Sequence, residues 1–196
     1  MEKNYNLFIR DDLDCLTGAD AEHMLTLLPP WRREKALRFK HEQGRKECAS
    51  AYLLLCHALY TVYGISEQPS FIVGEHGKPS LTTHPEIHFN LSHCKHAIAC
   101  VVADHPVGVD VECIGRYNES LARHVLNDQE FSLVQQAADP QLAFIRYWTQ
   151  KEAIVKLTGR GIDDDLKNLL LKYKDVSLHT EEHPDKGYVV TVATQG

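Results

Sequence analysis

The chain has 196 residues, 43% of them hydrophobic, and a formal net charge of −6. That is enough apolar material for a sizeable core in one domain or two small ones, and the acidic balance argues against general nucleic-acid binding. No apolar run approaches the roughly 20 residues that cross a bilayer, and residues 1–10 carry charges throughout with no signal-peptide core. The expectation is a cytoplasmic protein with no membrane partner. The six cysteines form no Cys-x-x-Cys pair, so reduced thiols are expected.

In chain order, residues 5–9 read as a short strand and residues 20–28 as a helix stopped by Pro29-Pro30. A basic helix over 31–39 follows. Residues 47–63 form the clearest helix, with Ala51, Leu54, Leu55, Ala58, Leu59 and Val62 on one wide apolar face and Gly64 placed to end it. Residues 71–73, 87–91 and 97–102 read as strands, with Gly77-Lys78-Pro79 in a turn. A second cycle opens with a strand over 107–112 and a helix over 119–126. Asn127 and Glu130 have the spacing of a capping box for a short helix to Ala137. Asp139-Pro140 offers an N-cap and a proline at the first helical position for a long helix to Thr158, which Gly159-Arg160-Gly161 should end. Residues 169–173, 176–179 and 188–193 read as closing strands.

Charge is uneven along this order. Residues 31–46 carry seven Lys and Arg against two Glu, whereas residues 162–185 carry seven acidic residues against three Lys. The basic segment can focus a polyanionic small molecule or an acidic protein, or it can be a solvated helix face; charge alone does not separate the two.

Two segments carry chemistry. In Gly108-Val109-Asp110-Val111-Glu112, strand alternation points Asp110 and Glu112 the same way. In the helix that contains Trp148-Thr149-Gln150-Lys151-Glu152-Ala153-Ile154-Val155-Lys156, positions four apart share a face, so Trp148, Glu152 and Lys156 line up. Two convergent carboxylates and a third from a helix suit a hard divalent cation such as Mg²⁺, which takes oxygen ligands. Lysines beside it point to a phosphate as the other ligand. Held together without a cation, such carboxylates should repel, so removing Asp110 should, if anything, stabilise the metal-free protein. Trp148 reads as a packing residue. The group His84, His88, His93, His96 and Cys94 has no zinc-site spacing.

These two segments, with Gly77-Lys78-Pro79 and Asn90-Leu91-Ser92-His93, resemble in type and order the motifs of 4′-phosphopantetheinyl transferases of the surfactin-synthetase-activating type. The resemblance covers residues 30–161. It implies an α+β fold of two similar subdomains related by a pseudo-twofold, with the substrate site between them; here these would be residues 1–103 and 104–196. It implies Mg²⁺-dependent transfer of phosphopantetheine from coenzyme A to a serine of an acyl or peptidyl carrier protein, with release of 3′,5′-ADP, by an enzyme able to act as a monomer. Carried over residue by residue, the metal falls to Asp110, Glu112 and Glu152. Glu152 and Lys156 become catalytic, and Glu152 is a candidate base acting directly or through a water. Arg32, Lys35, Arg45, Lys78, Ser92, His93, Lys151 and Lys156 fall to coenzyme A. The competing readings are a non-catalytic coenzyme A-binding relative and another Mg²⁺-dependent phosphoryl-transfer enzyme.

Overall fold

The segment Ile98–Ala103, apolar at every position, can be buried on both faces, and in the computed structural model it is. The structure describes residues 4–74, 77–115, 117–159 and 165–195; Arg160 and Gly161, expected to end the long helix, lie outside them. Strand β5 (Ile98–Ala103) is the centre of an antiparallel sheet, between β1 (Asn6–Arg10) and β4 (His88–His93). A second antiparallel sheet has β8 (Tyr188–Gln195) at its centre, between β6 (Val107–Cys113) and β7 (Val176–His183). A two-stranded hairpin, β2 (Phe71–Val73) with β3 (Pro79–Leu81), stands apart.

The core follows from alternation along the central strands. Ala99, Val101 and Ala103 of β5 meet Val107, Val109 and Val111 of β6 and Val190 and Val192 of β8. Cys100 and Val102 turn the other way, onto Leu55, Ala58 and Leu59 of α3 (Glu42–Tyr63). A long helix thus lies on each sheet: α3 on β1, β4 and β5, and α6 (Pro140–Thr158) on β6, β7 and β8. Helices α1 (Gly18–Leu27) and α2 (Pro30–Leu37) pack against α3. Helix α5 (Asp128–Gln136) packs against α6 and against α4 (Glu119–Val125). The architecture is mixed α+β with antiparallel sheets, as expected.

The caps behave as their residue types require. Asn127 and Glu130 close the capping box of α5, and Asp139 accepts the Leu142 amide at the start of α6 with Pro140 at its first position. Gly64 and Gly159 end α3 and α6 in the left-handed region, φ 70 and 65. Other expectations need correction. Helix α1 starts earlier, because Thr17 is the N-cap and Asp20 the third helical residue of its capping box. Helix α3 starts at Glu42 rather than 47. The run after Asn168 is no strand but a short helix, α7 (Leu169–Lys172), whose Leu169 packs under α6. A short apolar run does not by itself distinguish strand from helix.

Gly108 sets the distance between β6 and α6. A Cβ there would stand 2.3 Å from the Ala153 carbonyl oxygen and 2.4 Å from the Leu157 amide nitrogen. Both are backbone atoms, so no rotamer change relieves the clash. Overpacking a fixed core typically costs about 1–3 kcal/mol. Gly108→Ala should therefore lower the free energy of unfolding measured in urea by a comparable amount; an unchanged value would mean that α6 does not rest on this glycine.

Candidate functional site

Strands β4 and β6 are edges of different sheets. They meet through side chains instead of a backbone ladder. Asn90 Oδ1 accepts the Val109 amide at 3.0 Å, and Ser92 Oγ accepts the Val111 amide at 3.2 Å. Both rungs join residues 19 apart. Alternate residues of one strand thus satisfy alternate amides of the other, which is how an open edge is closed without a partner strand.

Asp110 sits between these two rungs, buried to 2% exposure. Its Oδ1 accepts from Lys156 Nζ at 2.6 Å and from Ser92 Oγ at 3.0 Å. Its Oδ2 is buried without a partner among the described residues. Lys156 also donates to Ser92 Oγ, at 2.7 Å. The serine hydroxyl is thereby fully used: its one hydrogen goes to Asp110, and its two lone pairs take the Val111 amide and Lys156. A merely repelled Asp110, as the sequence implied, is not what the structure holds. The ion pair makes its removal costly, since it would strand the partly buried ammonium of Lys156.

Glu112 lies two residues further along β6, and its Oε1 accepts the Trp148 indole N–H at 3.1 Å. Trp148 packs on Phe144 as expected of a core residue, but it also holds this carboxylate. Burial, and then the charge of Asp110, push Glu112 above the usual carboxylate range. Glu152, one helical turn before Lys156, is pushed up by the same two causes. The three carboxylates therefore share one electrostatic neighbourhood, balanced by Lys156. They are hard oxygen donors, and the orphaned Asp110 Oδ2 is a free ligand position, so the donor set fits a small divalent cation. Among the described residues, however, no group of three or more His, Cys, Asp or Glu side chains is already arranged to hold one.

Lys151 is not brought to this site. It is fully buried, paired at 2.7 Å with Glu130 and donating to the carbonyls of Val125, Leu166 and Lys167. Four acceptors around three N–H groups leave nothing for a phosphate. The expected coenzyme A contact is corrected to a structural one, tying α6 to α5 and to the segment before α7. Lys78 is likewise committed. Its Nζ donates to the carbonyls of Val107, Lys156 and Leu157 at 3.1, 2.7 and 2.9 Å, clamping the last turn of α6 to the start of β6. Burial pushes this ammonium down to about 8. As a coenzyme A ligand it would first have to give up these carbonyls.

Two of the remaining basic residues lie on a cavity of about 610 Å³ between α2, α3 and the β2–β3 hairpin. Arg32 and Lys35 line it with Trp31, Tyr52, Phe71 and Phe89. Arg32 lies over the Tyr52 ring and donates to the Cys48 carbonyl at 3.2 Å; Lys35 is exposed. Trp31 meets Tyr52 and Phe71 edge-on. It was not singled out from the sequence, although an aromatic residue at the head of a basic helix was a visible signal. Arg45 donates to the Phe39 carbonyl at 3.0 Å and braces the turn between α2 and α3. His93, exposed at the end of β4, is 3.7 Å from Glu47. Phe89 and Leu91 face the cavity while Asn90 and Ser92 face β6, so β4 separates the cavity from the carboxylates.

Fold and site together define an α+β protein with a carboxylate-rich, lysine-balanced centre on a sheet edge. Residues 106–193 match the family model for the 4′-phosphopantetheinyl transferase superfamily. The chain is 31% identical over 180 residues to the 4′-phosphopantetheinyl transferase psf-1 of Bacillus pumilus, covering 88% of this chain and 77% of that protein. It is 29% identical over 173 residues to a 4′-phosphopantetheinyl transferase of Bacillus subtilis, covering 87% and 77%. To the transferase HetI of Nostoc sp. strain PCC 7120 it is 30% identical over 180 residues, covering 83% and 76%. The chain belongs to the 4′-phosphopantetheinyl transferase family, a family of transferases.

Two predictions follow from this geometry. Lys151→Met leaves Glu130 buried and unpaired, which should cost about 3–5 kcal/mol in urea unfolding. Pairing it with Glu130→Gln should recover part of the loss, and calorimetry should find coenzyme A affinity unchanged in the folded protein. The second concerns pH. An acid with a raised folded pKa loses protons later than in the unfolded chain, so stability falls as pH rises through the interval between the unfolded value, about 4.3 for Glu, and the folded one. In EDTA, Glu152→Gln should be more stable than wild type at neutral pH, and the gap should close below about pH 4, where Glu152 of the wild type is protonated folded and unfolded alike. A gap independent of pH would exclude the charge as its cause.

Proposed function

We propose that this protein transfers 4′-phosphopantetheine from coenzyme A to the serine of an acyl or peptidyl carrier protein, with Mg²⁺, releasing 3′,5′-ADP. The observation that carries the reading is the convergence of Asp110, Glu112, Glu152 and Lys156 on one face, with a basic aromatic cavity on the far side of β4. The cavity suits the nucleotide end of coenzyme A: aromatic walls for a purine, and Arg32 and Lys35 for the 3′-phosphate. To His93, exposed at the end of β4, we assign the 3′-phosphate and pyrophosphate region of coenzyme A.

Mg²⁺ held by Asp110, Glu112 and Glu152 would neutralise charge growing on the pyrophosphate oxygens. Lys156, paired with Asp110, would lend its ammonium to a phosphate oxygen. Glu152 takes the base role for the carrier serine's proton, directly or through a water. Ser92 orients Asp110 and Lys156, and Trp148 orients Glu112. We read the chain as two α+β halves, residues 1–103 and 104–196, with the site at their seam. Support comes from the repeated pattern of a long helix on a three-stranded antiparallel sheet, and the pattern is compatible with a pseudo-twofold. Both halves contribute to one site within a single chain, so a monomer suffices. The protein is read as cytoplasmic: its described cysteines are all free, and among the described residues no helix is long and apolar enough to cross a membrane.

The test is to incubate the protein with coenzyme A, Mg²⁺ and a panel of apo-carriers and to look by intact mass for an added phosphopantetheine. No modified carrier under any condition would favour a coenzyme A-binding relative without turnover. Glu152→Gln should lower the maximal rate by about 10²–10⁴-fold even at saturating Mg²⁺; full recovery on raising Mg²⁺ would remove the base role from Glu152. Lys35→Ala and His93→Ala should weaken coenzyme A binding more than binding of the 3′-dephospho form. Equal losses measured by calorimetry would place that residue away from the 3′-phosphate.

A further inference from the structure

The seam between β4 and β6 has a third rung. Asn90 faces Val109 and Ser92 faces Val111, each 19 residues apart. Two residues on, the same offset brings Cys94, one residue past the end of β4, opposite Cys113, the last residue of β6. Both belong to the core cluster under the two sheets, Cys94 buried and Cys113 partly so. Each directly follows a site residue, Cys94 after His93 and Cys113 after Glu112.

We propose that Cys94 and Cys113 form a reversible disulfide that locks the seam and acts as a redox brake on the site. The oxidant is a low-molecular-weight disulfide such as glutathione disulfide. The more accessible Cys113, as thiolate, attacks one of its sulfurs, forming a mixed disulfide and releasing one glutathione thiol. Cys94 then attacks the Cys113 sulfur, the protein disulfide forms, and the second glutathione thiol leaves. Two protein thiols lose two electrons and two protons, and one glutathione disulfide is reduced to two thiols. Burial pushes the Cys94 thiol up to about 12, which leaves it little thiolate, so the second step depends on its being intramolecular.

Bonding brings the sulfurs to about 2 Å from each other. The two backbones must close on each other at this rung, and His93 and Glu112 shift with them. A displacement of order an ångström between positioned groups can cost up to about 10²-fold in rate. A transient bond of this kind suits an otherwise thiol-containing protein better than a permanent structural bridge.

The effect on rate rests on the transferase reading; the bond itself does not, and the experiment separates them. Reduced protein freed of reductant is treated with glutathione disulfide. Intact mass should fall by two hydrogens, and peptide mapping should join Cys94 to Cys113. Phosphopantetheine transfer should drop about 10–100-fold and return with dithiothreitol. Cys94→Ser and Cys113→Ala should keep the transfer rate of the reduced protein and lose the response to oxidant. A persistent glutathione adduct on Cys113, or a link between other cysteines, would overturn the disulfide. A mapped Cys94–Cys113 link with undiminished transfer would overturn the brake.

Discussion

The hydrogen bond network around the Ser92 hydroxyl is the constraint on which the site depends. It joins a β6 amide, the Asp110 carboxylate and the Lys156 ammonium in one buried node. Its members come from three elements, so the node fixes β4, β6 and α6 relative to one another. Buried polar networks are costly when incomplete and specific when complete. Here three elements are held in register by polar atoms, whereas elsewhere the two sheets rest on the small residues Ala99, Val101, Ala103, Val107 and Val109. Small side chains let the layers come close but say little about sliding. The polar node and Gly108 supply that missing specificity.

Charge at the site is deliberately unequal. Three carboxylates crowd one ammonium, and two of them are held above the ordinary range by burial and by Asp110. A protein seldom keeps such an arrangement for stability, because each desolvated carboxylate works against folding. It is the expected signature of a functional site that receives positive charge from its ligands. The contrast with Lys151 and Glu130 is instructive: there one cation meets one anion, every proton is spent, and the pair is a structural tie.

Much of the fold was legible from residue types. Asp139-Pro140, the Asn127–Glu130 box, Gly64 and Gly159 each mark a helix end for a reason that holds at the scale of one turn. The alternation of Asp110 and Glu112 and the helical spacing of Glu152 and Lys156 gave the site. What stayed hidden depends on distant partners. Lys78 was assigned to coenzyme A through the resemblance of Gly77-Lys78-Pro79 to the family motif; its acceptors lie 29, 78 and 79 residues away. Ser92 gave no sign that its hydroxyl would be exhausted. Lys151 did leave a trace: it lies five positions before Lys156, more than a quarter-turn off the face shared by Trp148, Glu152 and Lys156. Residue type drew it into the site, and helical geometry excludes it.

The Lys78 clamp ties the shape of the cavity to the far end of the chain. Gly77 and Pro79, its neighbours on either side, line that cavity, yet Lys78 itself is anchored on carbonyls of β6 and α6. During synthesis the hairpin β2–β3 exists long before Lys156 and Leu157 do. Until they arrive, its lysine has nowhere to dock, and closing so long a loop is entropically uphill. The wall of the cavity is thus completed by the second half of the molecule, and a first half made alone would carry the right residues around an unfinished chamber.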